Sequence, residues 1–227
     1  MRPNAYTLCA PLVPGRGRIL DVGGGGDPFK LATHVLDPYI NESPEGMMQR
    51  GGRPFIRLPG VKIVEGRGEA MPFPDQHFDF VFCSETLNHC QDPVAVVNEM
   101  ARVGKAGYID VPAAIHELFE PHSDHLWRCF ELGPTEIGFS PRVSGHPLTM
   151  LEDFVGYLAW AMDETLIRQD YWVREASCAE QFYIQFVWDN PEELKARSVS
   201  FEEVLPPLED RWKGGIGEYL WSQRPGG

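Results

Sequence analysis

The sequence predicts an α/β protein built around a mostly parallel sheet. Short apolar runs of strand length alternate with turns and helical periods through the first half of the chain. Several of those runs are apolar at nearly every position, as strands buried on both faces are. The second half adds a hairpin pattern, one long helical period and a late aromatic strand.

In order, residues 18–22 (RILDV) read as a buried strand that runs into four glycines. Residues 34–37 (HVLD) are a second strand, and residues 61–65 (VKIVE) a third ending at Gly66. Residues 78–83 (FDFVFC) are the strongest, rich in aromatic and β-branched side chains. A helix follows. Asp92 is its N-cap, Pro93 takes the first helical position, Val94, Val97, Met100 and Ala101 recur at helical spacing, and Gly104 ends it. Residues 108–111 (YIDV) are the fifth strand, stopped by Pro112.

Residues 126–130 and 136–139 flank Leu132-Gly133-Pro134-Thr135 as a hairpin. Over about 148–166, Leu151, Phe154, Val155, Leu158, Ala159 and Met162 form one apolar helical face, predicting a helix packed on the core. Residues 181–188 (QFYIQFVW) are a late strand, and Tyr171-Trp172-Val173 a partner for it or for the sheet. The segment past Asn190 is rich in Glu and Pro and reads as peripheral.

A chain of 227 residues is long enough for one domain with its own core, here 1–227. The net charge of −13 disfavours nucleic acid as a partner. The basic group Arg50, Arg53, Arg57 and Lys62 lies in a Gly/Pro-rich connection and reads as a solvated loop. No apolar run is long enough to cross a membrane, so no membrane partner is expected. Residues 1–18 lack the features of a secretion signal. Five scattered cysteines, with no CxxC pair, suit free thiols in a reduced, cytoplasmic setting.

Gly23 to Gly26 follow the first strand, where a parallel sheet binds its ligand and glycine lets backbone amides touch it. Asp37 ends the second strand, where a carboxylate can accept both hydroxyl hydrogens of a ribose. Two ligands fit this pattern. A dinucleotide requires G-x-G-x-x-G opening a helix, with an acid about 20 residues on. Here Asp27 and Pro28 interrupt the glycines, and Asp37 comes 14 residues after Gly23. A nucleoside carrying a cationic group instead of a pyrophosphate tolerates Asp21 and Asp27.

The segment that follows is more specific. LDVGGGG, the acid in VLDPY, the turn GEAMPFPD, the strand FDFVFCS and the pair EMARVGKAGYIDVP stand in fixed order over about residues 17–112. This arrangement resembles the class I S-adenosylmethionine-dependent methyltransferases, in the small-molecule branch and with a shortened first helix. The resemblance implies a Rossmann-like, mostly parallel sheet with an antiparallel C-terminal strand. It implies a cofactor half at 17–112, a substrate-side insert at 113–166, C-terminal strands at 167–190 and a peripheral tail at 191–227. The implied cofactor is S-adenosylmethionine. Asp21, Gly23, Gly24 and Gly25 would meet its methionine part, and Asp37 the ribose. Pro38, Tyr39, Gly68, Glu69 and Ala70 would edge the adenine, and Cys83 and Ser84 would approach the methionine amine and methyl. The implied activity is methylation of a small molecule at oxygen or nitrogen. A cofactor-binding regulatory subunit and a nicotinamide oxidoreductase are the alternatives.

Methyl transfer needs an in-line nucleophile, and sometimes a base. His89 follows the fourth strand, and His116, His122 and His125 follow the fifth, on segments expected to leave the same sheet edge. His125, His122 and His89 are the candidate catalytic residues. The types of His116, His122, Asp124 and His125 suit zinc or iron, yet their spacing matches no firm metal motif, and no metal is assigned. Substrate binding and plain surface polarity are the other readings of this group.

Overall fold

A computed structural model describes residues 9–13, 15, 17–119, 122–161 and 182–204. Its strands are β1 (Ile19–Val22), β2 (His34–Asp37), β3 (Lys62–Glu65), β4 (Phe80–Ser84), β5 (Gly107–Pro112), β6 (Trp127–Gly133), β7 (Glu136–Pro141), β8 (Tyr183–Trp188) and β9 (Lys195–Ser198). Six of them form the main sheet, in the order β3-β2-β1-β4-β5-β8. The first five run parallel. β8 closes the edge antiparallel to β5, from Gly107 opposite Trp188 to Pro112 opposite Tyr183. Pro112 thus ends β5 from within. Its missing N–H removes one ladder donor at the last position, where a strand tolerates it.

The β1–β2 crossover, which usually carries a helix, consists of turns alone. Phe29 covers part of that sheet face instead. It is fully buried, and its ring stacks on Phe82 at 4.4 Å with the planes 6° apart. Phe82 in turn stacks on Tyr108 at 5.4 Å. Burying one such ring is worth about 1.5–3 kcal/mol.

Helix α1 (Pro44–Gln49) joins β2 to β3, capped by Ser43, whose side chain accepts the Gly46 N–H. Helix α2 (Pro93–Val103) joins β4 to β5, and its Asp92 cap accepts the Ala95 N–H at 3.0 Å. Val96, Val97, Met100 and Val103 of α2 pack on the face made by Leu20, Val22, Val81, Cys83 and Ile109. Alternate residues of β1 and β4 thereby reach opposite layers.

Helix α3 (Ala114–Phe119) follows β5, and the β6–β7 hairpin forms where the sequence predicts it. β9 joins β7 in parallel to make a second, three-stranded sheet. The segment past Asn190 therefore contributes a strand and is not wholly peripheral. Residues 171–173 and 205–227 lie outside the described residues, so the paired strand at Tyr171 and the end of the tail do too.

Helix α4 (Pro147–Ala161) forms over the described part of the expected span, and its first turns bury polar side chains in place of Leu151 and Phe154. Leu151 and Phe154 are exposed, while Thr149 and Glu152 face inward. The reason is Arg128 on β6, a buried cation that must be paired. Its guanidinium donates to Glu152 Oε1 at 2.6 Å and Oε2 at 2.8 Å, to Thr149 Oγ1 at 2.8 Å and to the Pro141 carbonyl at 3.0 Å. Arg142 adds a second contact to Glu152 at 3.3 Å.

Candidate cofactor and acceptor site

The carboxyl ends of β1, β2 and β4 open into two adjoining cavities, of about 390 Å3 and about 320 Å3. Gly23, Arg50, Glu85, His89 and Asp124 stand in the walls of both. This is the edge where an open parallel sheet holds its ligands.

The larger cavity is shaped for a nucleoside. Asp37, Pro38 and Tyr39 form one wall, and Gly68, Glu69 and Cys90 the other. The Asp37 carboxylate is nearly buried. Its Oδ1 accepts the Tyr39 N–H at 2.7 Å and its Oδ2 the Gly25 N–H at 3.1 Å. Each oxygen keeps lone-pair capacity for a further donor. Burial raises its pKa, while the Tyr39 and Gly25 amides and nearby Arg50 oppose that shift.

Gly25 acts through Asp37. A Cβ there would stand 2.5 Å from Asp37 Oδ2 and 2.9 Å from the Phe55 ring. Gly24 is held as tightly, since its Cβ would fall 1.9 Å from Asp21 Oδ2. Gly23 has φ +77°, a left-handed backbone that favours glycine, beside Thr86.

The smaller cavity is lined by Asp21, Gly23, Gly24, Asp27, Ser84 and Glu85 on the strand side. His89, His116, His122, Asp124, His125 and Tyr183 line the other. Asp21 Oδ2 accepts the Phe29 N–H at 2.7 Å. Burial pushes the Asp21 carboxyl up to about 7, and Asp37 and Asp27 add to the shift while the Phe29 bond opposes it. Ser84 and Glu85 are fixed by Asp110, whose Oδ1 accepts the Ser84 hydroxyl at 2.8 Å and the Glu85 N–H at 3.2 Å. Asp110 is thus a structural clamp across β4 and β5.

The histidines sort themselves. The His125 ring is nearly buried, and its Nδ1 lies 2.5 Å from Oε1 of buried Glu117 on α3. The His89 and His125 rings meet nearly at right angles, centroids 4.7 Å apart, and His122 stands 4.7 Å from His125 on another side. His89 Nδ1 is 3.4 Å from Asp124 Oδ2. Burial lowers the His89 pKa, the charge of His125 adds to this, and Asp124 opposes it. His116 stands apart, its Nε2 2.6 Å from the Tyr183 hydroxyl.

Most residues expected at the site from sequence line these cavities, and three do not. Cys83 is fully buried in the α2-facing core, because the strand alternation turns it inward and leaves Ser84 at the edge. Ala70 is exposed outside both cavities, since the short 3-10 turn 68–70 points it away from Gly68. Gly25 is occupied in holding Asp37.

Arg50 corrects the expectation of a solvated basic loop. Its side chain is 5% exposed and lies between the cavities. It donates to the carbonyls of Tyr39 at 2.6 Å and Asn41 at 2.9 Å. Asn88 and Glu117 were not legible from sequence. Asn88 is 1% exposed in the cavity wall, and neither polar atom of its side chain has a partner among the described residues. Its place after β4, at the sheet's carboxyl edge, is the signal that could have marked it. Glu117 lies eight residues before His125, on α3, and no spacing rule pairs the two.

The methyltransferase-domain family matches residues 20–109, the span that carries β1 to β5. Ubiquinone/menaquinone biosynthesis C-methyltransferase UbiE of Shewanella woodyi is 30% identical over 127 residues, 51% of this chain and 48% of the relative. The uncharacterized methyltransferase YcgJ of Bacillus subtilis is 34% identical over 122 residues, 49% and 47% of the two chains. The crystal structure of YcgJ aligns with 55% of this chain and 61% of its own, at 21% identity and a TM-score of 0.41. This chain spans about half the length of such curated relatives. The span 20–109 is similar to the methyltransferase-domain family, and the sheet order with its antiparallel closing strand is the Rossmann-like arrangement expected from sequence.

Proposed function

We propose that this protein transfers the methyl group of S-adenosylmethionine to a small-molecule acceptor, at oxygen or nitrogen. The observation that carries the reading is the Asp37 carboxylate, held by two backbone amides in the wall of a nucleoside-sized cavity. The residues present suit this cofactor. Close-packed Gly23 and Gly24 leave room beside Asp21, and acidic side chains that would repel a pyrophosphate suit a sulfonium and an ammonium. When bound, the cofactor supplies an electrophilic methyl group.

The chain's own residues do the rest. Asp37 orients the ribose hydroxyls, and Pro38, Tyr39, Gly68 and Glu69 border the base. Asp21 offers a carboxylate to the amino-acid end. The histidine wall, led by His125 with His89 and His122 beside it, activates the acceptor. Glu117 sets the tautomer and orientation of His125, as a carboxylate does behind a catalytic imidazole. The buried Asn88 amide offers a donor and an acceptor to the bound molecule.

The test is a methyl-transfer screen against small hydroxyl, phenol, quinol and amine acceptors, reading formation of the demethylated cofactor. Turnover that falls about 10²–10⁴-fold in His125→Ala, with cofactor affinity kept, is the expected result. A protein that binds the cofactor yet transfers methyl to nothing would favour a regulatory subunit.

A further inference from the structure

We propose that His89, Asp124 and His125 form a binding site for a divalent first-row transition ion, open toward the acceptor cavity. The three side chains each direct one ligand atom into a common space, with all three atoms within 4.8 Å of one another. They come from segments far apart in sequence, joined at the turn after β4 and the approach to β6. That is why their spacing in the chain resembles no metal motif.

His89 Nδ1 donates to the Asp124 backbone carbonyl at 3.2 Å, which fixes the ring and leaves Nε2 as its lone-pair donor. His125 Nδ1 is taken by Glu117 at 2.5 Å, which leaves Nε2 as the ring's other donor. A histidine ligand backed by a carboxylate on its second nitrogen is the usual support of a metal-bound imidazole. The Glu117 partner is itself buried, at 1% exposure, so the ring is held rather than free to turn.

The donor set selects the ion. Two imidazoles and one carboxylate suit zinc or iron(II) and are poor for magnesium or calcium, which prefer oxygen throughout. Three protein ligands leave at least one coordination position, as in catalytic sites. Here that position faces the 320 Å3 cavity, which Asp21, Asp27 and Glu85 also line. These carboxylates favour a cation, against Arg50 and Arg53 on the same wall. The buried Asn88 amide, without a protein partner among the described residues, independently marks this cavity as a place for a ligand. The group such an ion takes is a small oxygen donor, a hydroxyl, phenol or enol. This last step rests on the methyl-transfer reading, because it makes the coordinated oxygen the acceptor and has His125 act there as an ion ligand in place of a proton acceptor; the ion site itself does not.

The experiment dialyses the full chain, first stripped with chelator, against Zn2+ and separately against Co2+. One ion per chain is expected, and Co2+ bound through nitrogen and oxygen should show visible ligand-field bands. Asp124→Asn and His89→Gln should each weaken binding at least tenfold. Their parent side chains are 25% and 21% exposed, so the fold should tolerate both, and circular dichroism checks it. Glu117→Gln should weaken binding about 10–100-fold through loss of ring orientation. His146→Ala, at an exposed histidine outside both cavities, should change nothing. No saturable binding of either ion, or binding unaltered in both Asp124→Asn and His89→Gln, would overturn the site. Titrating S-adenosylmethionine into the stripped protein separates the two ideas. Cofactor binding without ion binding removes only the metal site, and the reverse removes only the cofactor reading.

Discussion

At the scale of single residues, Asp37 and Asp21 carry opposite lessons. Asp37→Ala should weaken S-adenosylmethionine binding by roughly 30–100-fold, the loss of about 2–3 kcal/mol from two charge-assisted hydrogen bonds. Calorimetric titration of the variant reads this directly. Gly25→Val should abolish binding in a protein that still folds, because its Cβ would displace Asp37 and Phe55. Circular dichroism and the same titration, run together, check both halves. The folded pKa of Asp21, about 7, lies above its unfolded value near 3.9. Its stabilising contribution is therefore full below about pH 4 and is lost as pH rises through 7. A cationic ligand prefers the carboxylate, so cofactor affinity should rise with pH up to about 7 and fall about tenfold per unit below it. Asp21→Asn should flatten that profile. An unchanged pH dependence in the variant would show that another group binds the proton. Asp21 and Asp37 were legible in sequence because they lie at the carboxyl ends of the first two strands, Asp21 one residue before the end of β1 and the glycines, Asp37 last in β2. Cys83 was misplaced by one position, and along a strand one position is the difference between core and cavity.

At the scale of elements, the sequence predicts helices and strands well and their buried faces less well. Helix α2 matches because cap, first-turn proline, apolar spacing and terminal glycine all agree. Helix α4 exists where expected but turns Glu152 inward. Its partner Arg128 lies 24 residues away on strand β6, beyond the reach of any local period. Removing one member of so buried a pair leaves a lone charge. Glu152→Ala should cost about 3–5 kcal/mol in chemical denaturation, whereas replacing Arg128 and Glu152 together by Met and Leu should cost much less. Equal losses in the single and double variants would mean that packing, not charge, holds α4. The crossover after β1 tests a different point. Phe29→Ala should destabilise by about 3–5 kcal/mol, read as a lower denaturation midpoint, if this ring replaces a helix as cover for the sheet. A loss under about 1 kcal/mol would contradict that role.

At the scale of the whole molecule, the five strands β1 to β5 and their parallel sheet were legible because each strand is a short apolar run with its own stop signal, while their order β3-β2-β1-β4-β5 comes from the structure. The histidines of the smaller cavity were named from sequence because the segments after β4 and β5 leave one sheet edge, but their contacts with one another and with Glu117 were not legible. Their wall is assembled by the turn after β4, the approach to β6 and the helix after β5, and no spacing rule joins segments so far apart. The net charge of −13 is spread over a fold whose ligand-binding edge carries buried carboxylates at Asp21 and Asp37, which is consistent with a cationic cofactor rather than a polyphosphate. The most direct measurement is calorimetric titration of the full chain with S-adenosylmethionine and, in parallel, with a nicotinamide dinucleotide. The account predicts saturable one-site binding of the first, lost or sharply weakened in Asp37→Ala, and none of the second. Binding of the dinucleotide, or binding of S-adenosylmethionine indifferent to Asp37, would contradict it.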